Sequence, residues 1–256
     1  MKPRFWMTPL FMTCATFATG APVQLQNATA TFSQLPDPSK LDGWTPDQAI
    51  DGNFGDNNGW AIARPLDVAD AYPQTLVFET VSNIGFVTGT LLSFSLYQLH
   101  FNAGHSLGDF RLSYTTDDRN SFADGLSSNG NVSANWILIE PMFASSTGGA
   151  ILSVQGDSSI LASGPLPATA IYTIIAKVSE LEITGFRLEA LADASLPHDG
   201  PGRFPDNGNF GLTEFTLDAA ALPVPEPSTQ VLLGLGMLMI VLRRLAKVLW
   251  SPLAPR

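Results

Sequence analysis

The chain has 256 residues, of which charged residues make up 14% and apolar ones 45%, which excludes a disordered polyampholyte and leaves about one domain of core-forming chain. Its 22 glycines and 19 prolines are too many breakers for a fold of long helices and suit short strands and turns. A net charge of −10 excludes a nucleic-acid partner, because phosphate binding needs a basic face. Met1 to Ala21 reads as a secretory signal. Lys2 and Arg4 form a basic start, Phe5 to Phe17 is mostly apolar, and Ala18-Thr19-Gly20 offers the small residues a signal peptidase reads. The only cysteine, Cys14, lies inside this segment, so the remaining chain has no disulfide and depends on core packing or a bound ion.

Residues 22–219 carry short runs of β-formers separated by Gly, Asn, Asp and Pro. Candidate strands are Ala28–Ser33, Trp60–Ala63, Thr75–Glu79, Thr90–Phe101, Phe110–Thr115, Trp136–Glu140, Ala150–Val154, Ile171–Ala176, Glu182–Ala190 and Asn209–Leu217. In Phe110–Thr115, Phe110, Leu112 and Tyr114 take one face, while Arg111, Ser113 and Thr115 take the other. Such alternation marks half-buried strands of an antiparallel sheet. About ten strands at hairpin spacing predict an all-β, antiparallel jelly-roll sandwich or barrel rather than an α/β plan. No internal repeat is present, which excludes a solenoid or propeller.

Within this region, loop Asp51–Asn58 gathers Asp51, Asn53, Asp56, Asn57 and Asn58, with Gly52, Gly55 and Gly59 free to turn backbone carbonyls inward. An oxygen-rich loop of this kind suits calcium, or it is an Asx-rich turn without an ion. His100, His105 and His198 form no zinc motif, and packing or surface hydrogen bonding is the expected role. No Gly-x-Ser-x-Gly elbow or spaced carboxylate pair marks an active site. Residues 22–222 hold 22 acids against 7 bases, which favours divalent cations and disfavours direct contact with an acidic polysaccharide. Trp44, Tyr72 and Trp136 sit in or beside turns, and a sugar can stack its apolar face on such a ring. Trp60 and Trp136 adjoin aliphatic strand residues and are assigned to the core. Trp44, between Asp42-Gly43 and Thr45-Pro46, is the candidate exposed ligand contact.

At the C-terminal end, Leu222 to Ser228 is a stiff Pro-rich linker, because each proline fixes its own φ and restricts the residue before it. Val231 to Leu242 is an unbroken apolar run, short of the roughly 20 residues of a full span unless the helix starts at Ser228 and the arginines snorkel. Arg243, Arg244 and Lys247 then mark a cytoplasmic side.

Three resemblances follow from these residues. Val224-Pro225-Glu226-Pro227-Ser228, the apolar helix and Arg243-Arg244 together resemble the PEP-CTERM sorting signal of exosortase substrates, although 12 residues follow Arg244 here. That resemblance implies export, a transient membrane anchor, processing near Pro225-Glu226-Pro227 by an exosortase-type sorting protease, and a final place on the cell surface or in its matrix. Ala49-Ile50-Asp51-Gly52-Asn53 followed by Gly59-Trp60-Ala61-Ile62 resembles the start of discoidin-type, galactose-binding-like domains. Ile183 to Leu191, Gly200-Pro201-Gly202-Arg203, Gly208-Asn209-Phe210, Leu212 to Phe215 and Leu107 to Ser113 are similar to a sandwich module of planctomycete cytochrome-associated proteins. No Cys-x-x-Cys-His haem motif accompanies it.

The galactose-binding-like resemblance implies a structural calcium held by Asp51, Asn53, Asn58 and Glu214, and ligand binding on loops at one end of the sandwich. The expected organisation is a signal peptide over 1–21, a sandwich over 22–219, a linker over 220–228 and a sorting segment over 224–256. The expected function is a non-enzymatic carbohydrate-binding surface or matrix protein, with exopolysaccharide as a partner. A structural matrix protein without sugar binding and a polysaccharide-active enzyme are the alternatives.

Overall fold

The computed structural model describes residues 20–34, 44–63, 72–224, 234 and 236–243. The chain divides into two units, Met1–Leu222 and Pro223–Arg256. The first unit is an all-β sandwich in which every strand pair is antiparallel. One sheet has the order β1 (Ala21–Pro22), β14 (Glu214–Ala221), β5 (Thr90–Gln98), β11 (Ala170–Val178), β8 (Pro141–Ser146). The other has the order β2 (Leu25–Ala30), β4 (Gln74–Ile84), β12 (Ile183–Leu191), β6 (Asp109–Thr115), β10 (Ile160–Ser163), β9 (Ile151–Val154), with β7 (Ile137–Leu138) also on β6. A small separate ladder joins β3 (Trp60–Ala61) to β13 (Gly211–Leu212).

The core forms because alternate residues of the facing sheets are apolar. From one sheet come Leu92, Phe94 and Leu96 of β5 and Tyr172, Ile174 and Ala176 of β11. From the other come Leu76 and Phe78 of β4 and Phe186 and Leu188 of β12. Across the gap Phe94 meets Phe186 edge-on at 5.5 Å, and Phe78 meets Phe215 at 4.8 Å. Each such ring contributes about 1.5–3 kcal/mol through removal of apolar surface from water.

Two expectations are revised. Ser113 and Thr115 of β6, read as an outward polar face, are buried. Segment 117–136 folds over the outside of this sheet and packs Phe122 and Ala123 against Val77, with Trp136 alongside. The candidate strand Asn209–Leu217 is two strands, because Thr213 turns out of the ladder. Its N–H and hydroxyl both donate to Tyr97 O, and its Oγ1 accepts from Leu99 N–H.

The predicted signal segment, except Gly20 and Ala21, lies outside the described residues. So do Pro225, Glu226, Pro227 and Arg244 of the sorting motif. Residues 236–243, including Arg243, are helical and exposed. Among the described residues no helix is long and apolar enough to cross a membrane.

Candidate functional site

Strand direction decides where the functional groups gather. β5 runs from Thr90 to Gln98, and β14 pairs Glu214 with Tyr97 and Ala221 with Thr90. The loops after β5, before β14 and around 51–59 therefore share one end of the sandwich. Gly59 makes the junction possible: at φ 128 it passes so close to Leu212 that a Cβ would lie 2.1 Å from the Leu212 carbonyl oxygen.

The four predicted cation ligands come together there. Asp51 Oδ1 accepts from Asn53 N–H at 2.8 Å, and Glu214 Oε2 accepts from Gly52 N–H at 3.1 Å. Asn58 is buried, with its Nδ2 facing Gln48 O at 2.9 Å, Asn53 O at 3.1 Å and the Asp51 carboxylate at 3.1 and 3.3 Å. The Asn53 side chain turns back on its own loop and accepts from Gly55 N–H. Two amide hydrogens thus meet four oxygens, so acceptors outnumber donors. Glu214 is 2% exposed. Burial, and then the Asp51 charge, push its carboxyl up to about 7 against the opposing Gly52 N–H. Oxygen-only chemistry with two carboxylates fits a hard cation. Among the described residues no group of three or more His, Cys, Asp or Glu side chains gathers to hold a metal. Any cation here would depend on carbonyl and amide oxygens beside the Asp51–Glu214 pair.

Next to this cluster stands a column of rings. Trp44 lies on His100 at 4.6 Å, His100 on His105 at 4.1 Å, and His105 on Phe204 at 3.8 Å. Trp44, expected at the surface, is 4% exposed and is a packing residue at the foot of the column. Its polar sequence neighbours hid this, because the rings that cover it come from distant loops. Asn102 orders the histidines: its N–H donates to His100 Nδ1 at 3.0 Å, and its carbonyl accepts from His105 Nδ1 at 2.9 Å. Burial, and then the neighbouring His100, hold His105 down at about 4, and burial also lowers His100. Both rings are therefore neutral at pH 7. His198 takes no part in the column: it sits in the turn Pro197–Asp199 at φ 57.

Phe101 flanks the column at His100. Its ring packs on His100 at 4.5 Å, its N–H donates to Asp56 O at 3.0 Å, and the residue is 65% exposed. Phe54, also exposed, meets Tyr97 edge-on at 4.8 Å. Both rings are thereby tied to the loop that carries Asp56. Arg203 is turned away from this surface, donating to Gly164 O at 2.7 Å and Pro165 O at 3.0 Å. Trp60 is fully buried as expected, with Nε1 donating to Phe32 O. Trp136 is half-buried against Phe122, with the Arg187 guanidinium 5.3 Å from its ring. Tyr72 is exposed. A further open cleft of about 380 Å³ passes Asp51, Gly52 and Glu214 between Val23, Leu25 and Leu217.

No family model and no curated protein matches the chain. Solved structures do. A structure from the Streptococcus pneumoniae beta-galactosidase BgaA is 14% identical at a TM-score of 0.45, over 78% of this chain and 92% of that one. The family 32 carbohydrate-binding module of C. perfringens NanJ, solved with galactose, is 12% identical at 0.38, over 77% and 94%. A CBM32 module from a Clostridium perfringens family 31 glycoside hydrolase is 13% identical at 0.42, over 77% and 96%. Values this low assign neither a family nor a ligand to this chain.

Proposed function

We propose that this chain is an exported surface or matrix protein whose sandwich, on the galactose-binding-like plan, binds carbohydrate without cleaving it. The carrying observation is Phe101: an exposed aromatic residue whose ring packs on His100 and whose backbone N–H is fixed by the Asp56 carbonyl. A sugar stacks its C–H face on such a ring, and neighbouring polar groups read its hydroxyls. Asp56, Phe54 and Asn102 stand in the same loops. The column of neutral rings fixes the platform before ligand arrives, which lowers the ordering cost of binding.

Calcium is the proposed partner of the underlying loop, held by Asp51 and Glu214 with the Asn53 carbonyl and with Asn58, whose amide would turn over to present Oδ1 in place of Nδ2. It would neutralise the two facing carboxylates and stiffen the segment that carries Phe54 and Asp56. The same pair does not suggest a glycosidase, because Glu214 is buried and spends Oε2 on Gly52 N–H.

Export is supported by the basic and apolar start and by the small-residue exit at Ala18-Thr19-Gly20; β1 begins at Ala21, the last residue of the expected signal segment, so the strand overlaps that boundary by one residue. Sorting by an exosortase-type protease is supported by Pro225-Glu226-Pro227, the apolar run and Arg243-Arg244.

The test is calorimetric titration of residues 22–222 against the host exopolysaccharide and a panel of neutral sugars, with calcium and with EDTA. Saturable binding is expected, weakened at least tenfold by Phe101→Ala and reduced in EDTA. Absence of saturable binding in both buffers would reject the lectin reading in favour of a structural matrix protein.

A further inference from the structure

The opposite end of the sandwich carries its own exposed apolar feature. β4 and β5 are joined by a tight turn over Phe86-Val87-Thr88-Gly89, in which Gly89 N–H donates to Phe86 O at 2.8 Å and Phe86 N–H to Thr90 Oγ1 at 3.0 Å. Val87 stands at its corner, 94% exposed, with Phe86 beside it at 39%. Leu181, 45% exposed, belongs to the neighbouring turn, which Gly85 approaches so closely that a Cβ would lie 2.6 Å from the Leu181 Cα. Behind the turn an open groove of about 450 Å³ is lined by Val81, Ile84 and Phe86 together with Gln24, Ser82 and Asn83. An exposed apolar tip is costly in water, and a tip set beside a groove of mixed polarity suits a partner with an apolar layer beneath a polar one.

The chain leaves the sandwich at this same tip. Leu222 N–H donates to Gly89 O at 2.9 Å, and the Leu222 side chain occupies the space beside Gly89. Nine residues later, at Val231, the apolar segment begins that runs to Leu242 and is followed by Arg243-Arg244. Nine residues reach at most about 30 Å. The ring column lies at the far end of β5, roughly 30 Å away along the strand and so at the limit of that reach. A short tether holds the near end at millimolar effective concentration against whatever the segment enters, so a weak contact there is populated.

We infer that the Phe86–Val87 turn is a membrane-docking tip that rests in the lipid interface while the chain is anchored, and that it holds the Phe101 end outward. The inference rests on the membrane-anchored reading above. Glu180 and Glu182 flank Leu181, so the surface it fits is a neutral, zwitterionic one rather than an anionic one. The tip thereby orients the ligand end toward the extracellular side before processing.

The experiment uses the full chain in phosphatidylcholine vesicles. In a Cys14→Ser background, Val87→Cys or Ala103→Cys carries a polarity-sensitive dye; Ala103 is an exposed residue of the far loop. At position 87 the dye emission should shift to the blue and lose most of its quenching by aqueous iodide, while position 103 stays fully quenched. With the dye moved to Thr88→Cys, Val87→Asp should shift the docked fraction about tenfold toward solvent. Equal iodide access at 87 and 103 on vesicle-bound protein overturns the docking tip and leaves the anchor standing. Protein that stays in the supernatant after vesicle sedimentation rejects the anchor itself and the tip with it.

Discussion

Asp109 opens β6 with its carboxyl buried, and its Oδ1 has no hydrogen-bond partner. Burial pushes this carboxyl up to about 6, with Asp193 and Asp157 adding to the shift and the Ser159 hydroxyl opposing it. The folded pKa exceeds the unfolded one, so the protonated form is favoured in the fold. That stability is fully present below about pH 4 and is lost as pH rises through 6. Asn replaces the protonated acid, so Asp109→Asn should raise the melting stability at pH 8 by about 1–2 kcal/mol and leave it unchanged near pH 4. Thermal melts across pH would show this, and an equal effect at both pH values would rule out the ionisation argument. His105 has the opposite sign. Its folded value of about 4 lies below the free 6.5, so stability falls as pH drops from 6.5 toward 4. At this scale the sequence showed the gathering of Asp51, Asn53 and Asn58, because Asp, Asn and Gly crowd into one short loop. It hid the ring column, whose members are brought together by contacts among residues 44, 100, 105 and 204 that no local spacing reveals. The same cause misplaced Trp44.

Among the elements, the strands with a strong period of two were legible: β5, β6, β11 and β12 differ from their candidates by a few end residues. β8 and β10 were not, since Pro141-Met142-Phe143-Ala144-Ser145-Ser146 and Ile160-Leu161-Ala162-Ser163 are too short or too mixed to alternate visibly. β1 is two residues, held only by pairing with Asp218 and Ala219. The cover over the outer face of the second sheet was also invisible, because residues 117–136 have almost no regular structure. What fixes that cover is Phe122, fully buried against Val77 and edge-on to Trp136 at 5.4 Å. Its ring lies where Gly185 leaves room, since a Cβ on Gly185 would come within 2.4 Å of it. Phe122→Ala should therefore cost about 3 kcal/mol and shift the near-ultraviolet signal of Trp136. A loss below 1 kcal/mol in denaturant unfolding would mean that the cover does not pack as a unit.

At the scale of the molecule, the question is where the sandwich ends and the proposed sorting segment begins. β14 lies next to the central strand β5 and pairs with it along its whole length, with the two-residue β1 on its other side at Asp218 and Ala219. Its Phe215 and Leu217 are core residues. Removing any part of it would open the core, whereas the last bond of the sandwich is Leu222 N–H to Gly89 O. Cleavage anywhere from Pro223 to Ser228 therefore leaves every strand pairing intact. Processing at Pro225-Glu226-Pro227 would release a complete sandwich and remove the apolar run with its arginines. Surface-extracted protein should thus begin at or near Ala21, end between Pro223 and Ser228, and lack Val231–Arg256 by intact mass. It should also melt at the same temperature as the uncleaved chain, because no strand pairing among the described residues is lost. A mass that includes Arg256 would reject processing. A released form that melts several degrees lower would place residues beyond Leu222 inside the cooperative unit and move the boundary.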